Sequence, residues 1–459
     1  MTKKDARISP VRMKSMQLVH DIEEKGLYAN LALEAALRNS ELQAADRRQV
    51  TGIVNGTIRM IRHLDWVLNL FLNKRMEEQN PWLRSILRIS AYQILFMDRI
   101  PAHAVVNDAV ELTRTRLNPA LSKVTNGVLR NMIRQREGIK YPDDNPVNYL
   151  SVYYSHPQWL VERYLNMLGR DECERILAYD NLAPTVVLRV NTRRITRGVL
   201  LERLREEGVI ASPGRLHPQA LILEDIDRSL TSLPSFQEGL FYVQNEASML
   251  AANILNPAAG ELVYDFCCGI GGKSTHMAEL MEDRGRVEAF DLYEHKIKLA
   301  WQNCQRLKLE IIRPQAANIM TLDLTSCADR ILLDAPCSGW GVLNRRADSR
   351  WHKNEEEIGD LTELQLALLR KAAEGLNGQG ELLYATCTIN PGENGQVIER
   401  FLENHDFEAQ GFEDRINIFP LDEEDRRAAA NGQLTILPGK YGSDGMFYAL
   451  LRRKGFCPT

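Results

Sequence analysis

Strand-like and helical segments alternate along the second half of the chain, and this pattern constrains the fold more than any other feature. Such alternation favours a parallel sheet with helices on both faces. A last segment, 446–452, alternates like a closing antiparallel strand. The predicted strands are 261–266, 286–290, 311–315, 330–334 and 380–386, and the predicted helices are 273–281, 294–306 and 356–376. Residues 241–459 are therefore predicted to form a Rossmann-like α/β domain with a doubly wound sheet.

A glycine-rich turn, in the run DFCCGIGGKST at 265–275, follows the first strand of this sheet. Open α/β sheets bind ligands outside the carboxyl ends of their strands, so the turn is placed for a cofactor. A phosphate-binding P-loop needs glycine at position 267, which is Cys267, so that interpretation fails. A dinucleotide fingerprint would use Gly269 and Gly271, but Ser274 only half satisfies it. The third interpretation is a nucleoside cofactor such as S-adenosylmethionine, held by the same backbone turn without a phosphate site.

Two polar residues follow the next two strands. Asp291 ends the second strand about 20 residues after the glycines, where a carboxylate accepts hydrogen bonds from ribose hydroxyls. Asn318 follows the third strand, where its amide is placed to contact an adenine. Asp291 therefore favours the dinucleotide or adenosine interpretation over a phosphate loop.

Two loops that contain cysteine end the fourth and fifth strands: ILLDAPCSGWG at 331–341 and YATCTINPGENG at 384–395. If these strands are neighbours, Cys337 and Cys387 approach one cleft, onto which the glycine turn also opens. No C-x-x-C motif occurs, and no histidine is spaced as a partner, so zinc is disfavoured and no metal is expected.

A thiol beside a methyl donor has a specific use in cytosine chemistry. Carbon-5 of cytosine is too weak a nucleophile to attack a sulfonium methyl group. A thiolate that adds to carbon-6, with ring nitrogen 3 protonated, produces an enamine that can attack; a base then removes the carbon-5 proton and the thiol is eliminated. The scheme also needs room for an extruded base. Asp334 is a candidate for the contact at nitrogen 3, and a second cysteine is a candidate for assisting breakdown of the adduct.

The first 140 residues show helical periodicity throughout and are predicted to form an all-helical bundle, with Asp46 and Asn80 as N-caps. This block carries 23 Lys+Arg against 14 Asp+Glu, whereas the remainder carries 34 against 47. The asymmetry indicates a polyanion as partner, and the alternative is a solvated helical surface that happens to be rich in arginine. Residues 150–240 mix helices with short strands and are predicted to form a small α+β domain.

These motifs resemble those of the RsmB (Fmu-type) 16S rRNA cytosine-5 methyltransferases, within the RsmB/NOP2/NSUN group, over almost the full length. The Asp-Ala-Pro-Cys-Ser-Gly run at 334–339 and the Thr-Cys pair at 386–387 are very specific to that group. The resemblance implies that Cys387 is the nucleophile and that Cys337 aids release of the methylated base. It also implies S-adenosylmethionine as cofactor, bound by Cys267, Cys268, Gly269, Ile270, Gly271, Gly272 and Lys273, with further contacts from Asp291, Asn318 and Asp334.

The helical block at 1–140 resembles the NusB-like RNA-binding domain, and residues 150–240 fit the small, RRM-like middle domain of the family. The resemblance therefore implies 16S rRNA as the partner. Two departures concern the cofactor. The family usually has Ala-Pro where this chain has Gly269-Ile270, and Asp where it has Asn318, so we expect a looser turn and weaker cofactor binding.

The leading hypothesis is S-adenosylmethionine-dependent methylation of carbon-5 of one cytosine in 16S rRNA through a cysteine–base adduct. The alternatives are a tRNA cytosine-5 methyltransferase of the same group and a non-catalytic RNA-binding or ribosome assembly factor. No apolar run approaches the roughly 18 residues of a bilayer-spanning helix, and the start of the chain lacks a secretory signal. The sequence thus predicts a cytoplasmic protein without a membrane partner, and a monomer.

Overall fold

Helices alone build the first of the two units into which the computed structural model divides; the structure describes residues 8–38, 40–226, 228–324 and 327–455. This unit comprises the chain up to Ala183 together with the segment Leu343–Lys353. Its helices are α1 (Pro10–Lys25), α2 (Ala29–Arg38), α3 (Ala44–Arg59), α4 (Ile61–Asn69), α5 (Pro81–Phe96), α6 (Ala102–Arg116), α7 (Pro119–Gln135), α8 (Pro146–Tyr153), α9 (Gln158–Leu168) and α10 (Arg170–Asp180).

Asparagine followed by proline starts three of these helices. The Asn80 side chain accepts a hydrogen bond from the Trp82 amide, as predicted, and Asn118 and Asn145 cap α7 and α8 in the same manner. Proline suits the first helical position because its φ is already helical and it has no N–H to satisfy. The prediction that Asp46 is an N-cap is wrong, because α3 begins at Ala44 and Asp46 lies inside its first turn. There its negative charge interacts favourably with the helix dipole.

The segment Leu343–Lys353 belongs to the helical unit although it follows the first cysteine loop in sequence. Its buried Arg350 donates hydrogen bonds to the backbone oxygens of Ser155 and Asp180, at 3.1 and 2.9 Å. The carboxylate of Asp348 accepts from the Ala29 amide at 2.9 Å. The segment is therefore held by hydrogen bonds from several helices of this unit.

Two sheets form the second unit. The strands are β1 (Val186–Val190), β2 (Ile210–Pro213), β3 (Ala220–Asp225), β4 (Phe241–Val243), β5 (Leu262–Phe266), β6 (Arg286–Asp291), β7 (Ile312–Ala316), β8 (Ala328–Asp334), β9 (Leu376–Thr386), β10 (Phe407–Ala409), β11 (Gln433–Ile436) and β12 (Met446–Arg453). The smaller sheet has the antiparallel order β2-β3-β1-β4, and the larger sheet has the order β10-β12-β9-β8-β5-β6-β7, with β11 paired to β12. The helices are α11 (Arg197–Glu206), α12 (Pro234–Gln237), α13 (Glu246–Leu255), α14 (Gly272–Leu280), α15 (Glu294–Leu307), α17 (Glu355–Glu374), α18 (Gly395–Asn404) and α19 (Glu423–Ala430), whereas α16 (Ser349–His352) lies in the segment described above.

Hydrophobic residues cover both faces of the larger sheet. Alternate residues of β8 and β9 enter different cores: Leu332 and Leu383 pack in one, and Leu333 and Tyr384 in the other. β5 to β9 pair in parallel, and β12 pairs antiparallel with β9. The predicted fold class is thereby confirmed, including the closing antiparallel strand. Parallel pairing brings the carboxyl ends of β5 to β9 to one edge.

The division into domains at 1–140, 150–240 and 241–459 stays a prediction, and residues 1–7, 39, 227, 325–326 and 456–459 of these domains lie outside the described residues. Among the described helices, none is both long and apolar enough to cross a membrane.

Candidate active site

Left-handed backbone conformations shape the glycine turn between β5 and α14. Gly269 has φ +59° and Gly271 has φ +85°, and Cys267 adopts the same region with φ +63°. Glycine reaches this region without strain because it lacks a Cβ. The Cys268 amide donates to the Phe290 carbonyl oxygen at 2.9 Å, which fixes the turn to the end of β6. Burial raises the pKa of the Cys267 thiol to about 12, so this thiol is protonated at neutral pH.

Asp291 lies at the end of β6, directly against this turn. One carboxylate oxygen accepts from the Gly269 amide at 3.0 Å, and the other accepts from the Tyr293 amide at 3.0 Å. Asn318 is exposed after β7, where its side chain accepts from the Met320 amide at 3.1 Å. The intervening Ala317 amide donates to the Asp291 backbone oxygen at 3.0 Å. The turn, Asp291 and Asn318 therefore follow three neighbouring strands at one edge of the sheet.

A buried arginine of the smaller sheet supports the turn. Arg189 on β1 donates to the Gly272 carbonyl oxygen at 2.7 Å, to the Thr275 hydroxyl at 2.9 Å and to the Glu279 carboxylate at 2.8 Å. Its guanidinium also lies 5.2 Å from the centre of the Tyr242 ring. Arg189 thus joins the first turns of α14 to the smaller sheet.

Lys273 and Asp334 form an ion pair between the glycine turn and the end of β8, with Nζ and Oδ2 2.6 Å apart. Burial acts to lower the pKa of Lys273, but the charge and hydrogen bond of Asp334 outweigh it, so the pKa of Lys273 is raised. A negative charge at Cys387 is a smaller cause in the same direction, so the Lys273 ammonium and a thiolate at Cys387 would attract each other. The ion pair therefore links the predicted cofactor turn electrostatically to the second cysteine loop.

The two predicted cysteines meet. β8 and β9 are neighbours, and the sulfur atoms of Cys337 and Cys387 lie 3.3 Å apart. The pKa of the Cys337 thiol is raised well above its usual value, first by its hydrogen bond with Cys387 and then by burial and by the negative charge at Cys387. Cys337 is therefore protonated at neutral pH. A protonated neighbour and a nearby ammonium are conditions that favour a nucleophilic thiolate.

A buried carboxylate, Glu393, holds the two cysteine loops together. Its oxygens accept from the Ser338 amide at 2.7 Å, from Gln365 at 3.0 Å and from Asn390 at 3.0 Å. The hydroxyls of Ser338 and Thr388 also donate to it. Ser338 is adjacent to Cys337, and Thr388 is adjacent to Cys387. One carboxylate thus fixes the neighbours of both sulfur atoms.

Gly341 connects the two cysteine loops through its backbone. The Gly341 amide donates to the Cys387 backbone oxygen at 2.9 Å, and the Gly445 amide donates to the Gly341 oxygen at 2.7 Å. A Cβ at position 341 would lie 2.3 Å from the Gly445 oxygen, so no larger residue fits. This close approach ties Gly445, which precedes β12, to both cysteine loops.

We expect Glu393→Gln to lower the free energy of unfolding by about 2 kcal/mol, the cost of leaving one buried group unsatisfied. Every group that faces the carboxylate is a donor, and the amide nitrogen of glutamine cannot accept. Turnover should fall together with stability, because the sulfur atoms lose their fixed spacing. Chemical denaturation measures the stability, and methyl-transfer assays measure the turnover. The matched control is Glu399→Gln, the same change at an exposed position of α18. Equal stability and activity of the two variants would contradict the assignment.

The structure thus collects the predicted site residues at the carboxyl edge of one sheet, while their individual roles stay predictions. Among the described residues, no group of three or more histidine, cysteine or acidic side chains is arranged to hold a metal ion. Sequence reasoning missed Glu393, Ser338 and Arg189. The only signal for Glu393 was its place in the quoted loop at 384–395, where a carboxylate next to proline and glycine is typical of a solvated turn.

The fold and the site define a methyltransferase with a Rossmann-like sheet and a cysteine pair at its ligand-binding edge. The chain matches the family profiles "16S rRNA methyltransferase RsmB/F" over residues 252–452, "NusB family" over 9–134 and "Methyltr_RsmF/B-like, ferredoxin-like domain" over 156–227. The chain therefore belongs to the RsmB/F family of 16S rRNA methyltransferases, with a NusB-type N-terminal region. The family resemblance and the predicted enzyme class are confirmed, and the family is S-adenosylmethionine-dependent.

Relatives match along nearly the whole chain. "Probable ribosomal RNA small subunit methyltransferase B" of Bacillus subtilis (strain 168) is 36% identical, over 97% of this chain and 99% of the relative. Ribosomal RNA small subunit methyltransferase B of Vibrio cholerae is 31% identical, over 97% and 98%. The crystal structure of PH0851 is 27% identical and covers 97% of this chain and 99% of its own, with a TM-score of 0.79.

Proposed function

We propose that this enzyme methylates carbon-5 of one cytosine in 16S rRNA through a covalent bond between the Cys387 sulfur and carbon-6 of the base, and that it acts in the cytoplasm, where its rRNA substrate is made. The observation that carries the proposal is the cysteine pair, 3.3 Å between sulfur atoms, next to the ion pair of Lys273 with Asp334. A thiolate is the group that this reaction requires, and the charges around Cys387 favour one.

The residues at the sheet edge suit S-adenosylmethionine as the methyl donor. The turn at 267–273 offers backbone groups in a left-handed conformation at the end of β5, and Asp291 presents a carboxylate at the end of β6. A carboxylate at this position accepts from ribose hydroxyls. We propose that these residues hold the donor together with Asn318 and Asp334. When bound, the donor supplies an electrophilic methyl group.

The chain's own groups account for the remaining steps. The Cys387 thiolate adds to carbon-6 of a base that is protonated at ring nitrogen 3, and the Asp334 carboxylate is proposed to accept a hydrogen bond from that N–H. The nitrogen loses this proton when the product forms. Carbon-5 of the resulting enamine takes the methyl group. A base then removes the carbon-5 proton, the carbon–sulfur bond breaks, and the electron pair returns to the Cys387 sulfur. Cys337 is proposed to assist this last stage.

Trapping with 5-fluorocytidine tests the proposal. Full-length enzyme, donor and a 16S rRNA transcript that contains 5-fluorocytidine should give a stable protein–RNA complex, because fluorine at carbon-5 cannot leave as a proton does. Peptide mapping should place the bond at Cys387. A bond at another residue, or its absence from a preparation that methylates ordinary 16S rRNA, would contradict the mechanism.

The substrate is tested by a separate assay. We expect transfer of labelled methyl groups to unmodified 16S rRNA and little transfer to unmodified tRNA under the same conditions. Transfer to tRNA alone would favour the tRNA cytosine-5 methyltransferase hypothesis, and transfer to neither RNA would favour a non-catalytic RNA-binding factor. Raising the salt concentration should weaken rRNA binding, because lysine and arginine contacts to phosphate release counterions.

A further inference from the structure

A cavity of about 330 Å³ lies entirely within the helical unit and has an unusual lining. Two guanidinium groups, those of Arg59 and Arg136, contribute to it, and none of the described residues that line it is acidic. The aromatic side chains that line it are Tyr92, Phe96, Tyr141, Tyr153 and Tyr154. This volume falls at the lower end of the range of small-molecule sites, which is about 300–1,000 Å³.

Several of these rings are arranged in pairs and remain accessible. The Tyr92 and Phe96 rings are stacked with centroids 5.4 Å apart, and Tyr153 meets Tyr141 edge-on at 5.1 Å. Phe96 is 42% exposed and Tyr153 is 39% exposed. Gly56 allows Tyr92 to lie directly against α3, since a Cβ there would be 2.0 Å from the ring. Exposed aromatic faces of this kind are the surfaces on which unpaired bases stack.

Arg59 supplies buried positive charge with incomplete hydrogen bonding. It is 8% exposed, and one terminal nitrogen donates to the Asn344 backbone oxygen at 3.0 Å. Its Nε has no hydrogen-bond partner within the described part of the chain. Burial lowers the pKa of Arg59, although the charges of Tyr92 and Asp180 act in the opposite direction. A buried guanidinium with incomplete hydrogen bonding is costly. An anionic ligand would reduce that cost, whereas a cationic ligand would be repelled.

We propose that this cavity binds one unpaired nucleotide of the RNA substrate, with its base against the tyrosine and phenylalanine rings and its phosphate near Arg59 and Arg136. The inference rests on the proposed rRNA substrate and adds a recognition site for single-stranded RNA outside the methyl-transfer chemistry. The aromatic faces suit the base of a nucleotide, and guanidinium groups without a lining carboxylate suit its negative charge. It also gives part of the basic surplus of residues 1–140 a specific role.

Substitution at Tyr153 separates base stacking from electrostatics. We expect Tyr153→Leu in the full-length enzyme to weaken binding of a 16S rRNA transcript about 10-fold, within the range measured for losing one stacked base. Tyr153→Phe keeps the ring and should bind within about twofold of the parent enzyme. Filter binding at fixed salt measures both, and melting temperatures verify folding. Equal binding by the leucine and phenylalanine variants would overturn the proposal.

Charge is tested by a second pair of variants. Arg136→Gln should weaken binding more than Arg47→Gln does. The second change removes one exposed charge near the start of α3, at the opposite end of that helix from Arg59. Photocrosslinking of unaltered enzyme to a 4-thiouridine-containing 16S rRNA transcript should label the peptide that contains Tyr141 and Tyr153. Crosslinks confined to other parts of the helical unit, or equal losses in the two arginine variants, would overturn the proposal. These measurements do not use methyl transfer, so failure of this site and failure of the proposed reaction are distinguishable.

Discussion

Cys387→Ala abolishes methyl transfer: we expect turnover on 16S rRNA to fall by on the order of 10⁴-fold or more, the scale of losing the nucleophile of a covalent mechanism. Cys337 does not replace it, because its sulfur lies 3.3 Å from the position of the Cys387 sulfur and burial still acts to raise the pKa of Cys337 in this variant. Carbon-5 would then have to attack the methyl group without prior addition of sulfur at carbon-6. Single-turnover transfer of labelled methyl groups measures the loss.

Cofactor binding should survive this change. The glycine turn is held by the Asp291 carboxylate and by the backbone of β6, whereas Cys387 follows β9. Calorimetric titration with S-adenosylmethionine should therefore give dissociation constants within about twofold for the variant and the parent. Cys327→Ala, at an exposed cysteine before β8, is the matched control and should retain full activity. Comparable methylation by Cys387→Ala would refute the role of Cys387.

The elements that carry strong periodicity were predictable, and the short ones were not. The strand predicted at 286–290 and the helix predicted at 294–306 begin where β6 and α15 begin, and each ends one residue before the observed end. β4 and β10 have three residues each, which is too short for an alternating pattern to be visible. β9 begins at Leu376 rather than at 380, because Asn377 in its polar first part bonds to Asp329, a contact between segments that local sequence does not indicate.

The candidate site likewise contains residues that the sequence predicted and residues that it did not. The cysteine pair was predictable because each cysteine follows a strand, and parallel strands bring their carboxyl ends to one edge. The role of Glu393 was not predictable, because its hydrogen-bond donors come from three separate segments, at Ser338, Gln365 and Asn390. Such convergence leaves no periodic signal in the sequence. Arg189 could not be predicted for a similar reason. It lies in an otherwise apolar strand, and its hydrogen-bond partners on α14 are more than 80 residues away in sequence.

Cys337→Ala should leave the first half of the reaction intact and block its completion, so that a covalent protein–RNA species accumulates. The charge of the Cys387 thiolate and its hydrogen bond are causes of the raised pKa of Cys337, alongside burial. When the Cys387 sulfur bonds to carbon-6 it loses that charge, and the pKa of Cys337 falls. Cys337 is then proposed to release its proton to water and, as a thiolate, to take the proton from carbon-5, which allows the carbon–sulfur bond to break.

Denaturing gel electrophoresis of Cys337→Ala, incubated with donor and labelled 16S rRNA, measures the adduct. We expect up to one RNA per protein in a band of reduced mobility, while the parent enzyme shows almost none because it releases its product. The double variant that lacks both cysteines is the control, and it must show no band if Cys387 forms the bond. Continued turnover by Cys337→Ala without any adduct would assign the proton removal to another group.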